Sequence, residues 1–278
     1  SLGFQALQNL GAGVQNTIIG ALAGDSLTTG ADNTAVGYAA LSTENAHGRN
    51  TAIGKGALNL LDAGTDAYNV AVGFEAGKAI TTAIRSTLIG GQAGDSITTG
   101  SENTFIGWTT GAATTIGNKN VAVGGEAMVT NVAADCNVAV GLEALKAMTS
   151  AVTADTYNTA VGYRAGLSVT SGTTNTLMGA LAGDAITTGH HNVAVGYQAL
   201  GAEDAHGRNT AIGYEALRDQ NAGADAYNTA VGFTAGAAIS TGTSNTLIGG
   251  QAGDALTTGA QNVAFGKDAL TAEDTGSR

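Results

Sequence analysis

A nine-residue phrase, "NTAVGYAAL" at Asn33 to Leu41, returns as "NTAIGKGAL" from Asn50, "NVAVGFEAG" from Asn69 and, at the far end, "NVAFGKDAL" from Asn262. Counting each copy from its Asn as position 0, the anchors fall at residues 16, 33, 50, 69, 86, 103, 120, 137, 158, 175, 192, 209, 228, 245 and 262. Eleven of the fourteen spacings are 17, two are 19 and one is 21, and Ser86 alone replaces Asn. A fixed period of this size is the mark of a stack of small units that bury their apolar faces against one another.

The positions within the phrase carry separate messages. Position +4 is Gly in all sixteen copies, counting Gly3, and +7 is Ala in every copy except at Thr110. A glycine demanded at one point of every copy predicts positive φ or a close approach between layers. Position +1 is Thr or Val and +3 is large and apolar, so +1 to +3 reads as a short strand. Position +2 is apolar as well, which predicts burial on both faces. The segment +5 to +8, with polar +6 residues such as Glu75, Glu143 and Glu215 between apolar neighbours, predicts a second strand with one wet side.

Two volume trades follow. Large +2 residues (Ile18, Leu88, Leu177, Leu247) go with small +5 residues, whereas Ala at +2 allows Tyr38, Phe74 or Tyr163 at +5, so the pair is expected to fill one space. Phe105 with Trp108 breaks that trade and predicts a local bulge. Seven of the eight copies with Gly at +8 carry an apolar residue at +11, such as Leu27 or Ile80, whereas Leu41 and Leu200 at +8 precede Glu44 and Glu203. Each coil is thus expected to use one apolar anchor from either place. The fold class expected is all-β, a parallel β-solenoid of about sixteen coils with layers about 4.8 Å apart, or roughly 75 Å in all.

Composition agrees with a chain that is nearly all ladder, since 43 residues are Gly and none is Pro. The formal charge of −11 with only 11 Lys and Arg argues against nucleic acid and against anionic membrane surfaces. No apolar run reaches the roughly 18 residues of a membrane span. Cys136 stands alone and reads as incidental. Residues 16–119 map onto 175–278 with an offset of 159, and "AHGRNTAIG" occurs at both Ala46 and Ala205. Residues 1–278 therefore read as one repeat array, lengthened by block duplication, and its uncapped ends read as a slice of a longer fibre.

The copies "NTAVGYAAL", "NTAIGKGAL", "NVAVGLEAL" and "NTAIGYEAL" resemble the repeats of trimeric YadA-like adhesin heads and of related bacteriophage tail fibres, over essentially the whole chain. The resemblance implies a left-handed parallel β-roll, three of which pack about a common axis into a rigid attachment structure, at a cell surface or on a virion. The 17-residue period is longer than the usual adhesin-head coil and favours the fibre branch. A homotrimer has separate support in the residues. An apolar +1/+3 face and an apolar +2 column cannot both point into one narrow roll, so one of them is expected to meet another chain.

No catalytic, cofactor-binding or metal-binding set emerges. The histidines, His47, His190, His191 and His206, accompany no nucleophile motif. "GGQAGDS" at Gly90 and "GGQAGDA" at Gly249 misplace a glycine relative to calcium-binding nonapeptides. Asp25, Asp95, Asp184 and Asp254 read as turn-stabilising carboxylates. The positions expected to matter are structural: Asn33, Gly37 and Ala40, Asn50, Gly54 and Ala57, and Asn192, Gly196 and Ala199. The function expected is a non-enzymatic, extracellular or virion shaft. The alternatives are a head segment that binds a receptor or glycan through the longer loops before Tyr68, Tyr157 and Tyr227, a polymerising surface filament and, third, an ice-binding solenoid built on the "TTG" threonines.

Overall fold

The computed structural model describes residues 2–149, 154–272 and 274–276, which form two compact units. One comprises Ser1–Cys136 with Thr149–Asp155, the other Asn137–Met148 with Thr156–Arg278. Among the described residues of the first unit, three-residue strands recur at Thr17–Ile19, Thr34–Val36, Thr51–Ile53, Val70–Val72, Thr87–Ile89, Thr104–Ile106 and Val121–Val123. Each pairs in parallel with the next copy, +1 opposite +1, as in Thr34 with Thr51 and Thr51 with Val70. Ala134–Asp135 and Ala154–Asp155 make a further short parallel pair. The second unit repeats the arrangement with Val138–Val140, Thr159–Val161, Thr176–Met178, Val193–Val195, Thr210–Ile212, Thr229–Val231, Thr246–Ile248 and Val263–Phe265. The fold is a parallel β-solenoid with a 17-residue coil.

The anchor asparagines are buried, and their amides run as a ladder from coil to coil. Asn33 Oδ1 accepts the backbone N–H of Asn50 at 3.0 Å, Asn50 Oδ1 that of Asn69 at 3.1 Å, and Asn192 Oδ1 that of Asn209 at 3.1 Å. The Nδ2 group donates in turn to a carbonyl fourteen residues on, from Asn175 to Gly189 at 2.8 Å and from Asn245 to Gly259 at 2.8 Å. A side chain that must accept and donate at once, in a buried column, has to be a neutral amide, because a carboxylate column would bury like charges. Ser86 keeps the acceptor, at 3.3 Å from the N–H of Asn103.

At position +4 both reasons for glycine hold together. Gly37 and Gly196 have φ of 138° and 134°, and a Cβ on either would lie 2.5 Å and 2.3 Å from the carbonyl oxygen of the equivalent glycine one coil on, Gly54 and Gly213. The backbones of successive coils touch there, and no side chain fits between them.

The expected second strand is not one. Residues +5 to +8 form a run of turns, with left-handed φ at +6 (Glu75 55°, Glu143 59°, Glu215 51°) and again at +8 (Leu58 48°, Leu217 50°). Two left-handed residues, two apart, alternate side chains in and out as a strand does, which is why the apolar–polar pattern looks the same. They also split the ladder: Gln92 N–H donates back to Phe74 C=O at 2.7 Å, and Gly77 N–H forward to Ala93 C=O at 3.0 Å. Glu75 and its equivalents Glu143 and Glu215 lie on the outer side with side chains 21%, 14% and 16% exposed, each paired with a cation three residues on.

Inside the coil sit +2 and +7, with Ala40, Ala57 and Ala199 fully buried, plus large anchors. These come from +8 (Leu41, Leu200), from +11 (Leu27, Ile80, Ile186) or, against the expected exchange, from both at once (Leu58 with Leu61, Leu145 with Met148), all at 0% exposure. The +2/+5 trade, in contrast, is not a shared space. Position +2 points inward and +5 outward, so Phe105 is buried while Trp108 is 60% exposed, and the strand Thr104–Ile106 pairs regularly on both sides without a bulge. The real partner of a large +2 residue is Gly at +8. A Cβ on Gly111 would lie 2.3 Å from Phe105 Cε2, and one on Gly77 would lie 2.7 Å from Leu88 Cδ1 of the next coil.

Three outcomes follow. Gly37→Val or Gly196→Val loses at least about 3 kcal/mol in chemical denaturation, from left-handed strain plus backbone collision. Asn192→Leu orphans the Asn209 N–H and the His206 C=O, at about 1–3 kcal/mol each. Gly77→Ala and Leu88→Ala each destabilise, yet together cost less than their sum by about 1 kcal/mol, a coupling that a double-mutant cycle reads directly.

Candidate functional site

The candidate functional surface is the outward face of the strands. Positions +1 and +3 flank the buried +2 residue and remain half-exposed on every strand, with Ile53 and Ile89 each 38% and Met178 44% exposed. Strand pairing without slip turns these into columns of Thr, Val and Ile. Beside them, past the +4 glycine, runs the +5 column, where Tyr38, Phe74, Tyr163 and Phe233 are exposed. In the second unit three of its rings stack, Tyr197 on Tyr214 at 5.4 Å between centroids and Tyr214 on Phe233 at 5.2 Å. The sequence pattern shows these residues but not which side they take, because the in-or-out direction of +5 depends on the φ of Gly +4.

The longer loops end in the tyrosines singled out as candidate contacts. Tyr68, Tyr157 and Tyr227 all occupy position −1, with left-handed φ of 54°, 50° and 54°, and all are exposed. Tyr68 Oη accepts from Arg49 Nη1 at 2.7 Å, the guanidinium lies 5.4 Å from the ring centroid, and Arg49 also pairs with Asp66. Tyr227 repeats this with Arg208 at 2.7 Å and with Asp225. Each of these two tyrosines is thus held by the arginine at the same −1 position one coil earlier. Cys136 occupies the same −1 column, its thiol 3.2 Å from Asp155 Oδ1 and pushed up first by burial and then by that carboxylate.

The aspartates expected to stabilise turns sit in turns, and Asp25 Oδ1 and Asp95 Oδ1 are buried without a hydrogen-bond partner. Burial raises Asp95, and its own amide and that of Ser96 work against the rise. The threonine hydroxyls of the "TTG" segments are committed between coils, as Thr98 Oγ1 donates to Thr115 C=O at 3.1 Å and Thr187 Oγ1 to Asp204 C=O at 2.8 Å.

Two clusters escaped the sequence reading. Glu44, at a +11 position where other coils put an apolar anchor, is fully buried, and its side chain meets His47 and Asp62 with ligand atoms within 4.8 Å of one another. Glu203, Asp204 and His206 make the equivalent group in the second unit. Burial raises the carboxyl of Glu44 and that of Glu203 above the usual range, against neighbouring backbone N–H groups that lower it. Spacing does not disclose the first group, since Asp62 reaches Glu44 only because stacking lays one coil over the next, whereas the second lies within the four residues 203–206 and was legible as a local Glu-Asp-x-His run.

Among the described residues no helix is long and apolar enough to cross a membrane. No protein-family model, curated protein or solved structure matches the chain.

Proposed function

We propose that the chain is a non-enzymatic shaft segment of an extracellular or virion attachment fibre, in which three copies pack through their strand faces. The observation that carries the reading is the outward +1/+3 column. A single coil buries +2, +7 and one anchor and leaves an aligned row of Val and Ile half in water. An apolar column that continues from strand to strand is the kind of surface a partner covers. A closed threefold arrangement presents the same column from every copy and leaves none exposed. The acidic charge suits a surface structure that must stay dispersed and must not adhere to nucleic acid.

The exposed ring stack Tyr197–Tyr214–Phe233 favours a second reading, a head segment that contacts a receptor or glycan, because aromatic side chains are enriched where proteins meet partners. The two readings separate by mutation. Under the first, the rings tune assembly, and under the second their loss spares assembly and removes attachment.

Light scattering on the purified chain is expected to give three times 27.2 kDa, and electron microscopy a rod. Ile53→Lys with Ile89→Lys is expected to yield a folded monomer by circular dichroism, since lysine ends tolerate water and not an apolar axis. A wild-type chain that stays monomeric at micromolar concentration rules the trimeric shaft out.

A further inference from the structure

We propose that Glu44, His47 and Asp62, and in the second unit Glu203, Asp204 and His206, form two related sites for a divalent transition-metal cation of the zinc type. The argument begins with an anomaly of packing. Position +11 is an interior position, filled elsewhere by Leu27, Leu61, Ile80 or Ile186 and, where polar, by the neutral Thr114, Asn131 and Gln220, yet an ionisable carboxyl group is fully buried there at both Glu44 and Glu203. A buried carboxylate without compensation is among the costliest groups a core can hold.

The compensation within the chain is incomplete. Glu44 Oε1 accepts the His47 N–H at 3.1 Å, whereas Oε2 is buried and accepts no hydrogen bond, and His47 Nδ1 is likewise buried without a partner. Glu203 Oε1 accepts the His206 N–H at 3.1 Å and its Oε2 accepts from Asn209 Nδ2 at a long 3.5 Å, so in the second site the buried atom left without a partner is His206 Nδ1. Imidazole nitrogen and carboxylate oxygen lie 3.8 Å apart in the first site and 3.9 Å in the second. Zinc with bonds of about 2.1 Å sets tetrahedral donors roughly 3.4 Å apart, so small side-chain rotations close the difference. The backbone N–H on Oε1 holds the carboxylate in place, as outer hydrogen bonds do in built metal sites.

The third donor supports the same conclusion. Under the 159-residue offset, Asn45 corresponds to Asp204 and Asp62 to Asn221. The aspartate changes place between the blocks, from the next coil to the same loop, yet each group of Glu and His retains one. A mixed set of one nitrogen and two carboxylate donors suits zinc, cobalt or manganese better than calcium or magnesium, which prefer oxygen alone. Such an ion clips the loop to its coil, and in the first site it joins two successive coils. The inference stands apart from the fibre reading, since it concerns each unit alone.

The test is calorimetric titration of ZnCl2 into tag-free chain stripped with chelator. Two equivalents are expected to bind per chain, one in Glu44→Gln and none in Glu44→Gln/Glu203→Gln, with a zinc-dependent rise in Tm in the wild type that the double variant lacks. Cobalt(II) is expected to give a visible absorption band that the double variant lacks. Should the glutamine variants misfold by circular dichroism, His47→Gln/His206→Gln removes the partly exposed donors and leaves the buried carboxylates untouched. Binding that is absent in the wild type, that survives these pairs of substitutions, or that vanishes instead with His190→Gln/His191→Gln overturns the proposal, as does calcium binding in place of zinc.

Discussion

The structure depends on how closely one coil's backbone approaches the next. At the +4 glycines the carbonyl of one coil sits where the previous coil's Cβ would be, and a short step away the anchor amides pass hydrogen bonds along the same direction. The two columns act together. The glycine removes the side chain that would hold coils apart, and the asparagine supplies donor and acceptor to groups that the close approach would otherwise strand away from water. Neither residue can move in the sequence without breaking the alignment of every other column. Register is therefore fixed once per coil, before the apolar side chains contribute anything.

Those side chains then have little room. The interior of a coil is mostly alanine, with larger anchors at +8, at +11 or, in the coils of Leu58 and Leu145, at both, and with glycine at +8 wherever Ile18, Leu88, Phe105, Leu177 or Leu247 enters. A roll this narrow buries one face of its strand and cannot bury the other. The exposed Val and Ile columns are thus a result of the interior's size and not of a sequence unusually rich in apolar residues. Glu44 and Glu203 stand out against the same background, because they put charge where the pattern reserves space for a hydrocarbon.

The period, the strand at +1 to +3, the need for glycine at +4 and the +8/+11 exchange were all legible in the residues, since each rests on a local rule applied many times over. What misled was alternation. Apolar +5, polar +6 and apolar +7 look like a strand, and only the left-handed φ at Glu75 and Leu58 shows that the same in-and-out order arises from turns. The +2/+5 correlation was real as a pattern and wrong as a contact, because Phe105 and Trp108 lie on opposite sides of the wall. The role of the anchor Asn was hidden for another reason. Its partners are one coil away, and a repeat announces that a residue is needed without saying what it bonds to. Glu44 and His47 are neighbours on one loop, but Asp62 lies in the next coil and joins them only through the stack.

The coils of 19 and 21 residues show where this frame yields. Asn69 still donates to Asn50 Oδ1 at 3.1 Å across a 19-residue coil, and Asn158 to Asn137 Oδ1 at 3.0 Å across the 21-residue one, so the extra residues leave the ladder undisturbed. All of them fall between the +11 position and the next anchor. The stack thus accommodates insertions of two or four residues there, whereas one residue gained between Asn and the +4 glycine would shift every column at once. Heredity can rewrite the decoration of such a protein at a single bend of each coil, while the frame that carries it is copied unchanged.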